Sequence, residues 1–220
     1  MKSETAKKKS VVQGIQDQFS TKSLVLIPIS VGINLVGGMI ASSLKLPVFL
    51  DMIGTILSAA LGGPWVAALV GLLTNIFLAL VSNPVYLPYS LVSIGSGLVA
   101  GFMIRAGLFK KWWGIISTWL AVTLISVIIA STITVVLFGG ATGATGTSVL
   151  TATLIAATKN IVQSVVASSF LENLVDRAIA FAVAFIILKR IPKRFLSQYS
   201  IDSIDDGDED EEEKTEKAAE

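Results

Sequence analysis

The 220 residues contain no cysteine and no histidine. The first absence excludes disulfides and thiolate metal sites. The second removes the commonest catalytic base and metal ligand, and with it any acid–histidine proton relay. Charge is also scarce. Only 15% of the residues are charged, where a soluble domain carries roughly a quarter. No G-x-x-x-x-G-K-[ST] phosphate loop is present, so the chain has no means of driving itself with ATP. With these go hydrolytic and metal catalysis; no cofactor, no covalent chemistry and no nucleic-acid partner is expected.

What is present is apolar. Hydrophobic residues make up 53% of the chain, and the mean hydropathy is +0.75. Much of the surface must therefore face a lipid bilayer. The formal net charge of +1 hides a segregation of charge. Residues 1–23 carry five Lys and two acids, and residues 24–201 carry ten Lys/Arg and three acids, Asp51, Glu172 and Asp176. Residues 202–220 carry eleven acids and two Lys. The chain thus reads as a basic cytoplasmic segment (1–23), a membrane domain (24–196) and a solvated, disordered acidic tail (197–220). Residues 10–22 have the makings of a short interfacial helix, and no cleavage-like site marks the start as a signal peptide.

A spanning helix takes about 20 mostly apolar residues. Leu24–Leu44 supplies the first span, Pro47–Leu61 a shorter second, Pro64–Val81 the third, Pro88–Ile104 the fourth and Trp113–Phe138 the fifth. Gly62-Gly63-Pro64 reads as a tight turn with Pro64 opening a helix. The stretch from Val149 to Leu188 is long enough for two spans, and charge decides between the options. Basic clusters stand at the N-terminus, at Arg105/Lys110/Lys111 and at Lys189/Arg190/Lys193/Arg194. Six spans with both termini in the cytoplasm put all three inside, as the positive-inside rule demands. Residues 149–168 then form a surface or partly inserted helix on the outer side, and 170–188 the sixth span. The fold class is an all-α membrane protein, a six-transmembrane-helix bundle in a cell membrane.

Ionisable groups at membrane depth are costly and mark function by default. At ~1.5 Å per residue, Asp176 lies roughly 20 Å outward of Lys189, with Glu172 one turn further. Asp51 follows Pro47 at the outer end of span two. The three acids therefore converge on the outer third of the bundle. Arg177, Asn75, Tyr86, Tyr89 and Asn160 fall at the same depth, with Asn34 nearer the middle of span one. Carboxylates and amides with tyrosine walls describe a polar pocket for a small ring-bearing molecule. The plainer alternatives are that Asp51 caps a helix or pairs with Lys45 or Arg177, and that the tyrosines belong to an interfacial belt. Span one also carries small residues, Ser30, Asn34, Gly38 and Ser42 at four-residue steps with Gly37 and Ala41 beside them. Such stripes let helices approach closely, either within a bundle or against an outside partner.

The phrases LPVFLDMIGTILSAALGGPWVAALVGLLTNI (46–76), NPVYLPYS (83–90) and LVDRAIAFAVAFIILKRIPKRF (174–195) resemble the substrate-binding S components of energy-coupling factor (ECF) transporters. The likeness covers residues ~24–196 and leans to the branch labelled riboflavin-type or uncharacterised. It implies a prokaryotic, multi-pass subunit that captures a vitamin-like or nucleobase-like micronutrient from outside. It also implies assembly with an ECF transmembrane coupling subunit and two ATPase subunits. Members of the family carry an A-x-x-x-A stripe on span one that meets the coupling subunit. Gly37-x-x-x-Ala41 is the equivalent here, which makes Gly37, Gly38 and Ala41 the expected partner interface. The acidic tail lies outside the family pattern and motivates a different reading, a membrane sensor or scaffold that signals through its cytoplasmic tails.

Overall fold

The computed structural model describes residues 11–16, 18–143 and 146–192. Residues 1–10 and 17 of the basic leader and all of the acidic tail fall outside the described residues. Within them the chain is helical, with no strand: α1 (Val11–Gln16), α2 (Thr21–Ser43), α3 (Ile53–Gly62), α4 (Pro64–Val81), α5 (Ser90–Arg105), α6 (Trp112–Phe138), α7 (Thr147–Thr158) and α8 (Ile161–Arg190). α2, α4 and α6 are long and apolar enough to cross a membrane; α3, α5 and α7 are shorter apolar helices. α8 has 30 residues, about 45 Å of helix, and carries the charged cluster in its middle.

The bundle has an apolar core, with Met52, Ile56, Leu78, Ile104 and Leu188 fully buried, but it also exposes apolar side chains and buries polar ones. Val25, Ile29 and Val36 of α2, Leu124 and Ile128 of α6, and Val175 and Ile186 of α8 are exposed. Asn34, Thr55, Ser58, Thr74, Asn75, Ser96 and Ser126 are buried. In lipid there is no gain in hiding a leucine, so the interior is held by hydrogen bonds and close packing of small side chains. The centre is α3. Residues 54–62 are all buried, and α3 packs against α2, α4, α5 and α8.

A helix placed there cannot have its first N–H groups solvated. Its own N-cap, Met52, has no capping side chain. Asn34, from the middle of α2, supplies the acceptor instead: Asn34 Oδ1 takes Gly54 N–H at 2.7 Å. Asn34 Nδ2 donates to Thr55 Oγ1 (2.9 Å) and Thr74 Oγ1 (3.1 Å), so one amide ties three helices. The α3–α4 turn is similar. Gly63 sits at φ 92°, a region that costs any side chain, and Pro64 opens α4. The next α4 N–H, of Trp65, donates to Gln18 Oε1 at 3.2 Å, which moors the α1 segment beneath the turn.

α4 and α5 cross closely. A Cβ on Gly97 would meet the Ala67 backbone, and one on Gly101 the Pro64 backbone. Ser93, Gly97 and Gly101 follow one another at four-residue steps, a small-residue seam of the kind sought on span one but passed over on span four.

Two expectations about helices need correction. The second hydrophobic segment does not become helix at Pro47; residues 47–52 stay irregular, with Leu50 at φ 54°, and α3 starts at Ile53. The stretch 149–188 does not divide near residue 169. It divides at Lys159, which is left-handed, and Asn160, whose side chain accepts from Gln163 N–H at 3.1 Å and so starts a new helix. Neither Gly nor Pro occurs between 161 and 190, and α8 runs through without a break. α7 packs back along the first half of α8 through Thr151–Ser168 (2.7 Å) and Thr158–Ser164 (2.7 Å) hydroxyl pairs.

Candidate functional site

Three loops meet at one end of the bundle: 44–52 after α2, 82–89 after α4 and 139–143 after α6. The segment 44–52 is fixed from two sides. Gly146 N–H donates to Leu46 O at 3.3 Å. Asp176 Oδ1 accepts both Phe49 N–H and Leu50 N–H at 2.8 Å, which holds the left-handed Leu50 in place and turns the next residue, Asp51, inward. Asp176 Oδ2 lies 2.6 Å from Arg177 Nη1, and the same Nη1 is 3.9 Å from Asp51 Oδ1. Arg177 Nε donates to Ser126 Oγ at 3.3 Å, and Ser126 shares a hydrogen bond of 2.8 Å with Ser96. One guanidinium thus joins α8, α6 and the segment before α3, all of it buried.

Above this network lies a cavity. Asp51, Asn75, Tyr86, Tyr89, Glu172 and Arg177, from four stretches of the chain, line it together. Tyr89 donates or accepts with Thr134 at 2.6 Å and stacks on Phe138 at a centroid distance of 6.0 Å. Tyr86 is held by the Pro84–Tyr86 turn, which Asn83 caps by accepting Val85 N–H at 3.0 Å. Burial pushes the Tyr86 phenol above its usual pKa, so it stays protonated and able to donate. Asn75 spends Nδ2 on Gly71 O (3.0 Å) and Ser93 Oγ (2.7 Å). Thr147 donates to Glu172, linking the start of α7 to α8 across the cavity rim.

Two residues expected at the ligand stand elsewhere. Asp176 is fully buried behind the wall, its oxygens taken by backbone and Arg177. Asn160 is exposed and caps α8. The wall also contains residues that charge-based reasoning passes over: Phe49, Thr134, Ser148, Thr151, Ser169 and Asn173. Asn173 neighbours Glu172, and its amide is a signal the sequence does carry. The Thr/Ser pattern of 147–151 offers none, because hydroxyls are equally at home on an outer surface helix.

The small residues expected as a partner interface on α2 lie against other parts of the same chain. A Cβ on Gly37 would meet Leu50 O, and one on Gly38 the Leu78 side chain; Ala41 is 1% exposed. These small residues make room for the 47–52 segment and for α4. Among the described residues no group of three acidic, histidine or cysteine side chains gathers to hold a metal ion.

The arrangement is a walled, polar-lined chamber that can surround a small molecule. A family model described as "ECF transporter, substrate-specific component" matches residues 22–188. No curated protein and no solved structure matches the chain.

Proposed function

The chain belongs to the family of ECF transporter substrate-specific components, and from that premise we propose that the walled cavity captures a small vitamin-like or nucleobase-like micronutrient from the outer side. Components of this family are integral cell-membrane proteins; they bind a small-molecule substrate, work with ECF coupling and ATPase modules, and are not enzymes. Membership does not favour the sensor or scaffold alternative.

The carrying observation is the cavity itself, with six of the singled-out residues on its wall. Its direction is supported by charge. The Arg105–Lys111 loop and the Lys189–Arg190 end of α8 stand at the end of the bundle opposite the cavity. By the positive-inside rule that basic end is cytoplasmic. We take α2, α3 with its preceding segment, α4, α5, α6 and α8 as six spans, with both termini inside, in a prokaryotic membrane. Residues 24–196 are then the membrane domain between a basic leader (1–23) and an acidic tail (197–220), and a coupling subunit with two ATPases completes the transporter.

The full chain in detergent, screened against vitamins, purines and pyrimidines by thermal unfolding, tests the proposal. A true ligand at 100 times its Kd stabilises the fold by roughly 2.7 kcal/mol. Asp51→Ala and Glu172→Ala are each expected to abolish that stabilisation. Stabilisation that persists in both variants refutes the assignment of the site.

A further inference from the structure

The lining carries two carboxylates, Asp51 and Glu172, and one guanidinium, Arg177. That guanidinium is already committed, to Asp176 at 2.6 Å and to Ser126 at 3.3 Å. With Asp176 counted behind the wall, three carboxylates face one cation, a formal excess of two negative charges. No other Lys or Arg lines the cavity among the described residues.

Hydrogen bonding leans the same way. Asn173 is 2% exposed. Its Nδ2 is spent on Ser169 O at 2.8 Å, while its Oδ1 has no partner. Asn75 likewise turns its donors back into the protein, onto Gly71 O and Ser93 Oγ. Thr151 Oγ1 donates to Thr147 O or Ser168 Oγ. Asn75, Asn173 and Thr151 thus use their protons internally, so what these three have left to offer is acceptor capacity. Phe49, Tyr86 and Tyr89 add aromatic faces, whose quadrupoles attract cations. An anion entering here would meet like charge with no free cation to receive it, which is an effective means of rejection.

We infer, building on the reading of this cavity as the ligand site, that its solute is an organic cation with several N–H donors: a protonated amine, an amidine or an amino-substituted heteroaromatic ring. An anion of the same size is excluded.

Three flat probes of equal size separate charge from shape: benzamidinium, benzamide and benzoate. Each is titrated at neutral pH against the full chain in nanodiscs, by calorimetry and thermal unfolding. Benzamidinium is expected to bind at least about tenfold more tightly than benzamide, the factor that one charge-assisted hydrogen bond supplies. Benzoate is expected not to bind. Glu172→Gln, which keeps the shape of the side chain, should weaken benzamidinium about tenfold and leave benzamide unchanged. Asp51→Asn serves as a second, independent variant. Benzoate binding as tightly as benzamidinium, equal binding of all three, or no binding of benzamidinium overturns the inference. A parallel arm keeps its failure distinct from that of the site. The chain is incubated with a deproteinised cell extract and washed, and the retained compounds are identified by mass spectrometry. Retention of an anion that is lost in Asp51→Ala and Glu172→Ala overturns the charge assignment and leaves the ligand site standing. Failure to retain any compound beyond the level of those variants removes both.

Discussion

A carboxylate taken out of water and into a lipid-embedded bundle costs several kcal/mol unless its oxygens are filled. At Asp176 both are filled, by two backbone N–H groups and a guanidinium. This residue is best understood as the clamp that presents Phe49 and Asp51 to the cavity. Asp176→Ala would leave Arg177 with a distant Asp51 and two backbone donors empty. It is expected to destabilise the protein by about 3–5 kcal/mol, as breaking a buried ion pair does, measured by unfolding in detergent. A loss below about 1 kcal/mol, the size of an ordinary cap as at Asn160, would show that the clamp bears no strain. The sequence singles out Asp176 as one of a few acids that gather near Asp51. It does not reveal that the partners are the N–H groups of residues 49 and 50, more than a hundred positions away, because a backbone donor has no letter. Hence the gathering was legible, and the difference between a wall residue and the residue behind it was not.

At the scale of elements, boundaries set by local chemistry were legible and those set by tertiary contacts were not. Pro64 starts α4 and the polar proline-bearing loop ends it, so α4 spans Pro64–Val81 as its residues suggest. α3 begins late because Asp176 holds the preceding segment irregular and Asn34 offers a cap only at Gly54. The α4–α5 seam gives the test at this scale. Gly101→Ala forces a methyl into the Pro64 backbone, and a proline at the first position of a helix has little freedom to move. A loss of about 1–3 kcal/mol is expected, the usual cost of overpacking. Gly32 on α2 has nothing near its missing Cβ. There Gly32→Ala should be neutral or stabilise by up to about 1 kcal/mol, through helix propensity alone. Thermal midpoints of the two variants side by side distinguish a packing seam from a general dislike of alanine. Equal behaviour would mean that the α4–α5 crossing is looser than its geometry implies.

For the whole molecule the governing pattern is charge, and the chain's lack of cysteine makes it directly testable. Lys111, beside the exposed Trp112 and Trp113, stands at the basic end. Lys45 and Lys159, both exposed, stand at the end with the cavity. Aromatic rings next to lysines suit a membrane–water boundary on the cytoplasmic side. An interior rich in hydroxyls and amides, with carboxylates held at one end only, suits a chamber that opens to the other side. Because the native chain has no thiol, each single substitution Lys45→Cys, Lys159→Cys and Lys111→Cys supplies the only reactive site in its protein. Intact cells treated with a membrane-impermeant maleimide should label positions 45 and 159 and spare 111. Permeabilised cells should label all three. Labelling of 111 in intact cells, or protection of 45 and 159, would invert the molecule. It would place the cavity on the cytoplasmic face, where a subunit that captures solute from outside has no use for it. The same reagents report on the cavity. Lys45 borders the segment that carries Phe49 and Asp51, so occupancy of the chamber should slow maleimide reaction at 45 more than at 159, which sits on the remote turn between α7 and α8.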